Sequence, residues 1–329
     1  MKLILSRKGF DSDSGGYPSP IFPDGSLIPL PIPASGYVSG VNFAEEKYEP
    51  IQYKNIMVPA SVNKLLIKNG IKDIFTYKDL MLLLFDKCQN KTFQKTKNRL
   101  LRNEPCYCHL DPDLIKDNLK RENDWLPMFG PHPGYQKNLE RNIKKNDLFL
   151  FFGLYRPVVI EDGMIRYALK KDMNYNTINY NEIHVIYGYL QVDTIIKNDK
   201  DVRNWMKNHP HLDKKLWSED YNAIYIATRE LSIDEKKMGY PGAGIFKFSK
   251  DLILTETNKS LNPLPNKSIW RYDLFPLGCH ISHQGKRVDN SKWTKTGCFQ
   301  WISRGQEFII EDCPEFEKHV KNKLFRKNQ

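Results

Sequence analysis

The sequence predicts an α+β fold in which a mixed or antiparallel, partly closed sheet carries flanking helices. Three observations point there. Capped helices fall in the N-terminal part, strand-like apolar runs crowd the chain from Lys144 onward, and a proline-rich extended segment links the first strand to the body.

Leu3, Ile4 and Leu5 make a short apolar strand that ends at the polar turn SRKGFD. The segment that follows sets its prolines among Ile21, Phe22, Leu27, Ile28, Leu30 and Ile32 (PIFPDGSLIPLPIP). Proline fixes φ and lacks an N–H, so this stretch is neither helix nor central strand. Its density of large apolar side chains predicts ordered extended chain packed on a body rather than a disordered leader. Helices come next. Ser61 is the expected cap of VNKLLIKN before Gly70, and Thr76 with Asp79 three residues on forms a capping box ahead of LMLLLF. A further helix is expected from Pro112 to Arg121, with Asp111 as its cap and proline in its first turn.

From Lys144 the character changes. KKNDLFLFFGLY reads as a turn and a buried strand, followed by MIRYAL, EIHVIYGYLQVDTIIK, a helix around VRNWMKNH, then NAIYIAT, GIFKFS, LILT and EFIIE. Strands this dense predict a compact, partly closed sheet or barrel. Asp312 and Pro314 open a terminal helix whose basic end suits the helix dipole. The expected organisation is one domain over 1–311, mixed over 1–143 and strand-rich over 144–311, with a basic helix over 312–329.

Composition narrows the function classes. Of 329 residues, 40% are hydrophobic and 12% aromatic, which excludes wholesale disorder. No run approaches the roughly 20 apolar residues of a membrane span, and MKLILSRKGF lacks a signal-peptide pattern, so a cytoplasmic protein with its six cysteines reduced is expected. Lys plus Arg exceed Asp plus Glu by 50 to 39, a net charge of +11 that favours a polyanionic partner such as nucleic acid or nucleotide. Abundant Lys, Asn and Ile also fit an A+T-biased coding sequence with solvated lysines.

Polar residues of catalytic type gather in four rigid turns. In SRKGFDSDSGG, Ser6, Arg7, Lys8 and Asp11 precede two glycines, where Arg7 and Lys8 suit phosphate or carboxylate; a basic turn beside an acidic cap is the plainer reading. In CYCHLDPD, His109, Asp111 and Asp113 share one face if extended, which suits a hard metal or a general base. Cys106, Cys108 and His109 also invite a zinc reading with Cys279, His280, His283 or Cys298, but no paired CxxC supports it. In MFGPHPGYQKNLERN, prolines hold His132, with Gln136 and Asn138 close behind. The fourth group spans HISHQGKR and WISRGQEF: His283, Arg304, Gln306 and Glu307, with Trp270 and Arg271 nearby in sequence. Aromatic faces with Arg, Gln and His are tools for stacking and reading a base, and aromatics are equally the usual core filler. No triad order, HExxH, phosphate loop or dinucleotide fingerprint is present.

In this order, SRKGFDSDSGGYPSPIFPDGSLIPLPIP, HLDPDL, FGPHPGYQKNL, KNDLFLFFGLYR, IHVIYGYLQV, GAGIF, SIWR and RGQEF resemble the nucleotide modification associated domain family, the third of that name. The resemblance runs from Met1 to about Phe308 and implies membership in bacterial and phage systems that make or handle modified bases. More weakly, KKNDLFLFF with VIYGYLQVDTI is similar to EVE and other PUA-like barrels, which implies a small base-accepting pocket. The leading expectation is a nucleotide-binding cleft in which Arg7 and Lys8, delivered with Asp11, hold phosphate, His109 with Asp111 or His132 supplies acid–base catalysis, and Arg304, Gln306 and Glu307 orient the base. A non-catalytic reader of modified bases, or a metal-dependent nuclease using His109, Asp111 and Asp113, are the alternatives. No metal is assigned, and the cofactor and protein partners stay unnamed.

Overall fold

The computed structural model describes residues 1–11, 14–34, 48–71, 75–86, 91–139, 142–169, 182–217, 221–258, 266–301 and 307–325; of Thr92, Pro133, Tyr135, Asn138, Lys214 and Lys215 it describes the backbone alone. The apolar opening becomes β1 (Leu3–Arg7), and the proline-rich run contributes only β2 (Ser19–Ile21) and β3 (Ile32–Pro33). After β4 (Ile51–Gln52) come α1 (Ala60–Lys68), α2 (Tyr77–Leu84) and α3 (Lys91–Leu101), then β5 (Tyr107–His109), β6 (Met128–Phe129) and α4 (Pro133–Leu139). The strand-rich part supplies β7 (Leu148–Glu161), β8 (Met164–Tyr167), β9 (Ile183–Ile196), α5 (Lys214–Trp217), β10 (Ile224–Ala227), β11 (Glu230–Ile233), β12 (Lys236–Pro241) and β13 (Ala243–Ile245). The chain ends with β14 (Ile269–Trp270), β15 (His280–His283), β16 (Lys286–Arg287), β17 (Phe299–Gln300), β18 (Glu307–Asp312) and α6 (Pro314–His319).

The main sheet runs β16-β15-β18-β1-β7-β9-β10-β6, with β2 and β8 also on β7 and β13 on β9. It is mixed, because β1 pairs parallel to β7 and antiparallel to β18. Among the described residues its end strands β16 and β6 do not pair, so the expected α+β architecture holds while closure into a PUA-like barrel does not. The runs LFLFFGLY and IHVIYGYLQV are buried on both faces, which is why they carry apolar side chains without alternation. Their outer cover includes α6, whose Phe316 joins Val320, Leu324 and Phe325 in the same core. A second core packs Phe10, Phe22, Ile28 and Leu30 of the proline-rich region against Val62, Leu66, Tyr77, Leu80 and Phe93. The extended segment is therefore an integral layer of the fold.

Several local expectations are corrected. Helix α1 begins at Ala60 with Pro59 in extended conformation as its cap, leaving Ser61 inside the first turn; Thr76 and Asp79 do form the capping box of α2. No α-helix covers 112–121: the Asp111–Pro112 peptide is cis, the chain makes one 3-10 turn at Lys116–Asn118, and the Asp111 carboxylate turns away to Gly130. The stretch around VRNWMKNH forms 3-10 turns at Asn204–Met206 and Pro210–Leu212, since Pro210 has no N–H with which to continue a helix. The cysteines expected to be reduced include a bonded pair: β15 and β18 align His280 with Asp312, bringing Cys279 and Cys313 to a Cα separation of 4.7 Å and a disulfide. Among the described residues no helix is long and apolar enough to cross a membrane.

Candidate functional site

Strand β1 delivers the first polar turn into the molecule. Side chains alternate along a strand, so Ser6 and Lys8 share one face and Arg7 takes the other. Ser6 lies opposite Glu307 of β18 in the ladder, and its hydroxyl stands 3.4 Å from Glu307 Oε1. Lys8 Nζ lies 3.6 Å from the same oxygen, 3.5 Å from Asp111 Oδ2, and 4.6 Å from the centre of the Phe129 ring. On the other face Arg7 pairs with Asp11 at 3.0 Å and lies over Trp301. Gly9, at φ +86°, lets the chain leave the sheet there.

Asp111 is the centre of the cluster. The main-chain N–H of Gly130 donates to its Oδ1 at 2.9 Å, and His209 Nε2 lies 3.2 Å from the same oxygen, off the line of a good hydrogen bond. His211 Nε2 lies 4.0 Å from Oδ2, an oxygen that accepts no hydrogen bond. The ring of His109 stands edge-on to His211 at 5.5 Å, and that of His209 is 5.5 Å from His211 on another side. Gly130 is required by this crowding, since a Cβ there would come within 2.4 Å of the His211 ring.

Neighbouring groups fix the imidazole protons. Asn222 Nδ2 donates to the His211 carbonyl at 2.9 Å, which turns Asn222 Oδ1 toward His211 Nδ1 at 3.1 Å. Nδ1 therefore carries the proton, and the Nε2 lone pair of His211 faces Asp111. The His211 main-chain N–H in turn points at His209 Nδ1 at 3.3 Å, so the proton of neutral His209 sits on Nε2, toward Asp111.

Burial pushes His211 well below the ordinary histidine range against the pull of Asp111, and lowers His109 to about 4. Burial alone would raise Asp111, but Lys8 and the two histidines of 209–211 outweigh it and hold the carboxyl well below its usual value. Glu307 goes the other way: burial raises it, with Lys8 opposing. At neutral pH His109 and His211 are thus neutral, Asp111 is ionised, and Glu307 takes a proton more readily than usual.

The structure brings Ser6, Lys8, His109, Asp111 and Glu307 together from the expected residues, and sets others apart. Both cations expected to hold phosphate already face carboxylates. Both carboxylate oxygens of Asp113 accept from the single Arg121 Nη2 at 2.7 Å, so Asp113 is engaged by Arg121 and does not share the metal-binding face expected with His109 and Asp111. His132 is exposed at the start of α4, where its Nδ1 accepts from Gly134 N at 3.1 Å. Gln136 is buried and accepts from Tyr225. Trp270 is core, donating to His184 Nδ1 at 3.0 Å; Arg271 pairs with Asp273; His283 Nδ1 bonds the Glu307 main-chain carbonyl. The Asn138 side chain, Arg304 and Gln306 lie outside the described residues.

Sequence reasoning missed His209, His211 and Asn222. The signal was present in NHPHLD, a histidine pair around a proline, the same feature that singled out His132. Beside Asp111 a cavity of about 20 Å³, lined by Gly9, Leu30, Pro112 and Tyr187, has room for about one water.

A family model described as nucleotide modification associated domain 3 matches residues 2–311. No curated protein and no solved structure matches the chain.

Proposed function

Because the chain belongs to the nucleotide modification associated domain 3 family, we propose that it binds a nucleotide, free or within DNA, at the Asp111 cluster and catalyses a proton-transfer step of base modification in the cytoplasm. One observation carries this reading: three histidines, two carboxylates and a lysine from distant parts of the chain converge in a largely buried cluster. Burying such groups is costly, and hydrophobic residues of similar size would serve packing as well or better. His211, neutral and with its Nε2 lone pair directed inward, is the general base. Glu307, whose carboxyl is raised by burial, is the acid. Lys8 balances the charge of both carboxylates as the proton moves. The excess of basic residues favours approach of a polyanionic substrate.

The test combines titration of the purified protein with deoxynucleotides and with modified and unmodified duplexes, and mass-spectrometric analysis of the same mixtures. Turnover that drops at least 100-fold in His211→Ala, with affinity little changed, is expected of a general base. Selective binding with no product would instead identify a reader of modified bases. Unchanged nucleoside modification in cells carrying Lys8→Ala, His109→Ala or His211→Ala would remove the Asp111 cluster from the function.

A further inference from the structure

We propose that the exposed face of α3, with Lys54 and Lys78 beside its C-terminal end, is a docking surface for the sugar-phosphate backbone of duplex DNA, so that the base presented to the Asp111 cluster belongs to a polymer. The inference deepens the Proposed function and rests on it for the identity of the substrate.

The positive charge of the chain is concentrated. Residues 51–104 carry eleven Lys and Arg against four Asp and Glu, which is +7 of the total +11. Within α3 the run KTFQKTKNRLL holds four cations and no acid. Lys91, Lys95, Arg99 and, just past the helix end, Arg102 follow one another at steps of four, four and three residues, so they form one stripe along the helix. Phe93, Thr96 and Leu100 are buried on another side, with Phe93 and Leu100 in the second core. Lys97 lies off the stripe, where its Nζ donates to the carbonyls of Phe85 and Asp86.

This arrangement works against the helix itself. Like charges four residues apart repel, and Lys91 sets a positive charge against the positive end of the helix dipole. Glutamates interleaved with the lysines would serve stability and solubility better. Among the described residues Lys54, Lys91, Lys95 and Arg99 make no ion pair, and the pair that Arg102 makes with Glu104 at 3.7 Å is exposed and weak. Lys8, by contrast, already faces two carboxylates. The charges of α3 are therefore open to an external anion.

The stripe also has the right reach. From Lys91 to Arg102 it runs about 16 Å at the helical rise, the axial length over which one strand of a duplex presents about five phosphates. At its far end a cavity of about 100 Å³ is lined by Lys54, Lys78, Asn103, Glu104 and Cys106, with Lys78 held in place by the Asn103 side-chain carbonyl. That space has room for a phosphate group. From Cys106 the chain continues through β5 to His109, three extended residues or about 10 Å on, which puts a backbone held along α3 within a few nucleotides of the Asp111 cluster.

The test is fluorescence anisotropy of the full chain with an unmodified duplex of about 20 base pairs, from about 50 to 400 mM salt. Four phosphate contacts predict that log K falls against log salt with a slope of about −4. Lys91→Gln with Lys95→Gln, at exposed positions where glutamine keeps the helix, should make the slope shallower by about 2 and weaken binding at about 150 mM salt at least 10-fold. Lys236→Gln with Lys237→Gln removes the same charge from the exposed hairpin of β11 and β12, which packs on the other core, and should keep the wild-type slope. A wild-type slope shallower than about −1, wild-type binding by the α3 variant shown folded by circular dichroism, or an equal loss in both variants would overturn the surface. None of these readings depends on turnover, so the surface can fail while the Asp111 cluster still acts on free deoxynucleotides.

Discussion

Lys8 Nζ lies 3.5 Å from Asp111 Oδ2, joining the end of the first strand to the turn that closes β5. The lysine side chain is only 11% exposed and the carboxylate 0%, so neither charge has water to fall back on. Removing one partner of a buried pair costs about 3–5 kcal/mol, because the other is left uncompensated. Lys8→Met should lower unfolding free energy by about that amount, read by urea denaturation, and Lys8→Met combined with Glu307→Gln should recover part of it. A loss below about 1 kcal/mol would show that the ammonium is better solvated than its burial implies.

Acid should weaken the fold before it titrates ordinary carboxylates. Burial lowers His109 to about 4, and burial, with Arg7 and Lys267 adding to it, lowers His184 to about 3. Between the unfolded value near 6.5 and these values the unfolded chain binds protons that the folded chain refuses, so stability falls as pH falls through that window. For His109 alone the full effect is on the order of 3 kcal/mol. Denaturation midpoints at pH 7.5, 6 and 5 check the sign; a midpoint that rises toward pH 5 contradicts it.

Gly130→Ala tests how tightly the cluster is built. A Cβ at this position falls within 2.4 Å of the His211 ring, and relief requires moving the imidazole or the Gly130 main chain, just past β6, that donates to Asp111. Overpacking of this kind costs about 1–3 kcal/mol. Turnover should fall with it, and the His211 imidazole resonances in NMR should shift even where the protein stays folded.

Arg121 separates structural charge from functional charge. Its ion pair with Asp113, one Nη2 against both carboxylate oxygens, is 3% and 1% exposed, and Arg121 stacks over Trp125. Arg121→Ala should therefore cost about 3–5 kcal/mol while leaving nucleotide affinity of the folded fraction unchanged. A selective loss of affinity without a loss of stability would place Arg121 in the binding site instead.

Reduction of the Cys279–Cys313 bond, which spans a sequence separation of 34, should lower stability by about 3–4 kcal/mol on the loop-entropy account. Thermal denaturation with and without dithiothreitol measures it. The same measurement on Cys313→Ser should show no further effect of the reductant.

Much of the architecture is written locally. LFLFFGLY and IHVIYGYLQV read as buried strands because they are strand-length apolar runs rich in aromatic and β-branched residues, and Thr76 with Asp79 marked the start of α2 through hydrogen bonds made within one turn. The packing of the proline-rich segment was legible too, from its density of Ile, Leu and Phe. Lys8, His109, Asp111 and Glu307 were each recognisable as polar residues in rigid turns. Their meeting was not, since it depends on β1 lying between β7 and β18 and on Asp111 leaving its expected capping role for Gly130. His209 and His211 sit in a stretch whose apolar spacing reads as helix until Pro210 breaks it. Local sequence determined the strands, the caps and the chemical types available; only the tertiary structure decided which charges share one low-dielectric space, because that depends on pairings between segments far apart in the chain.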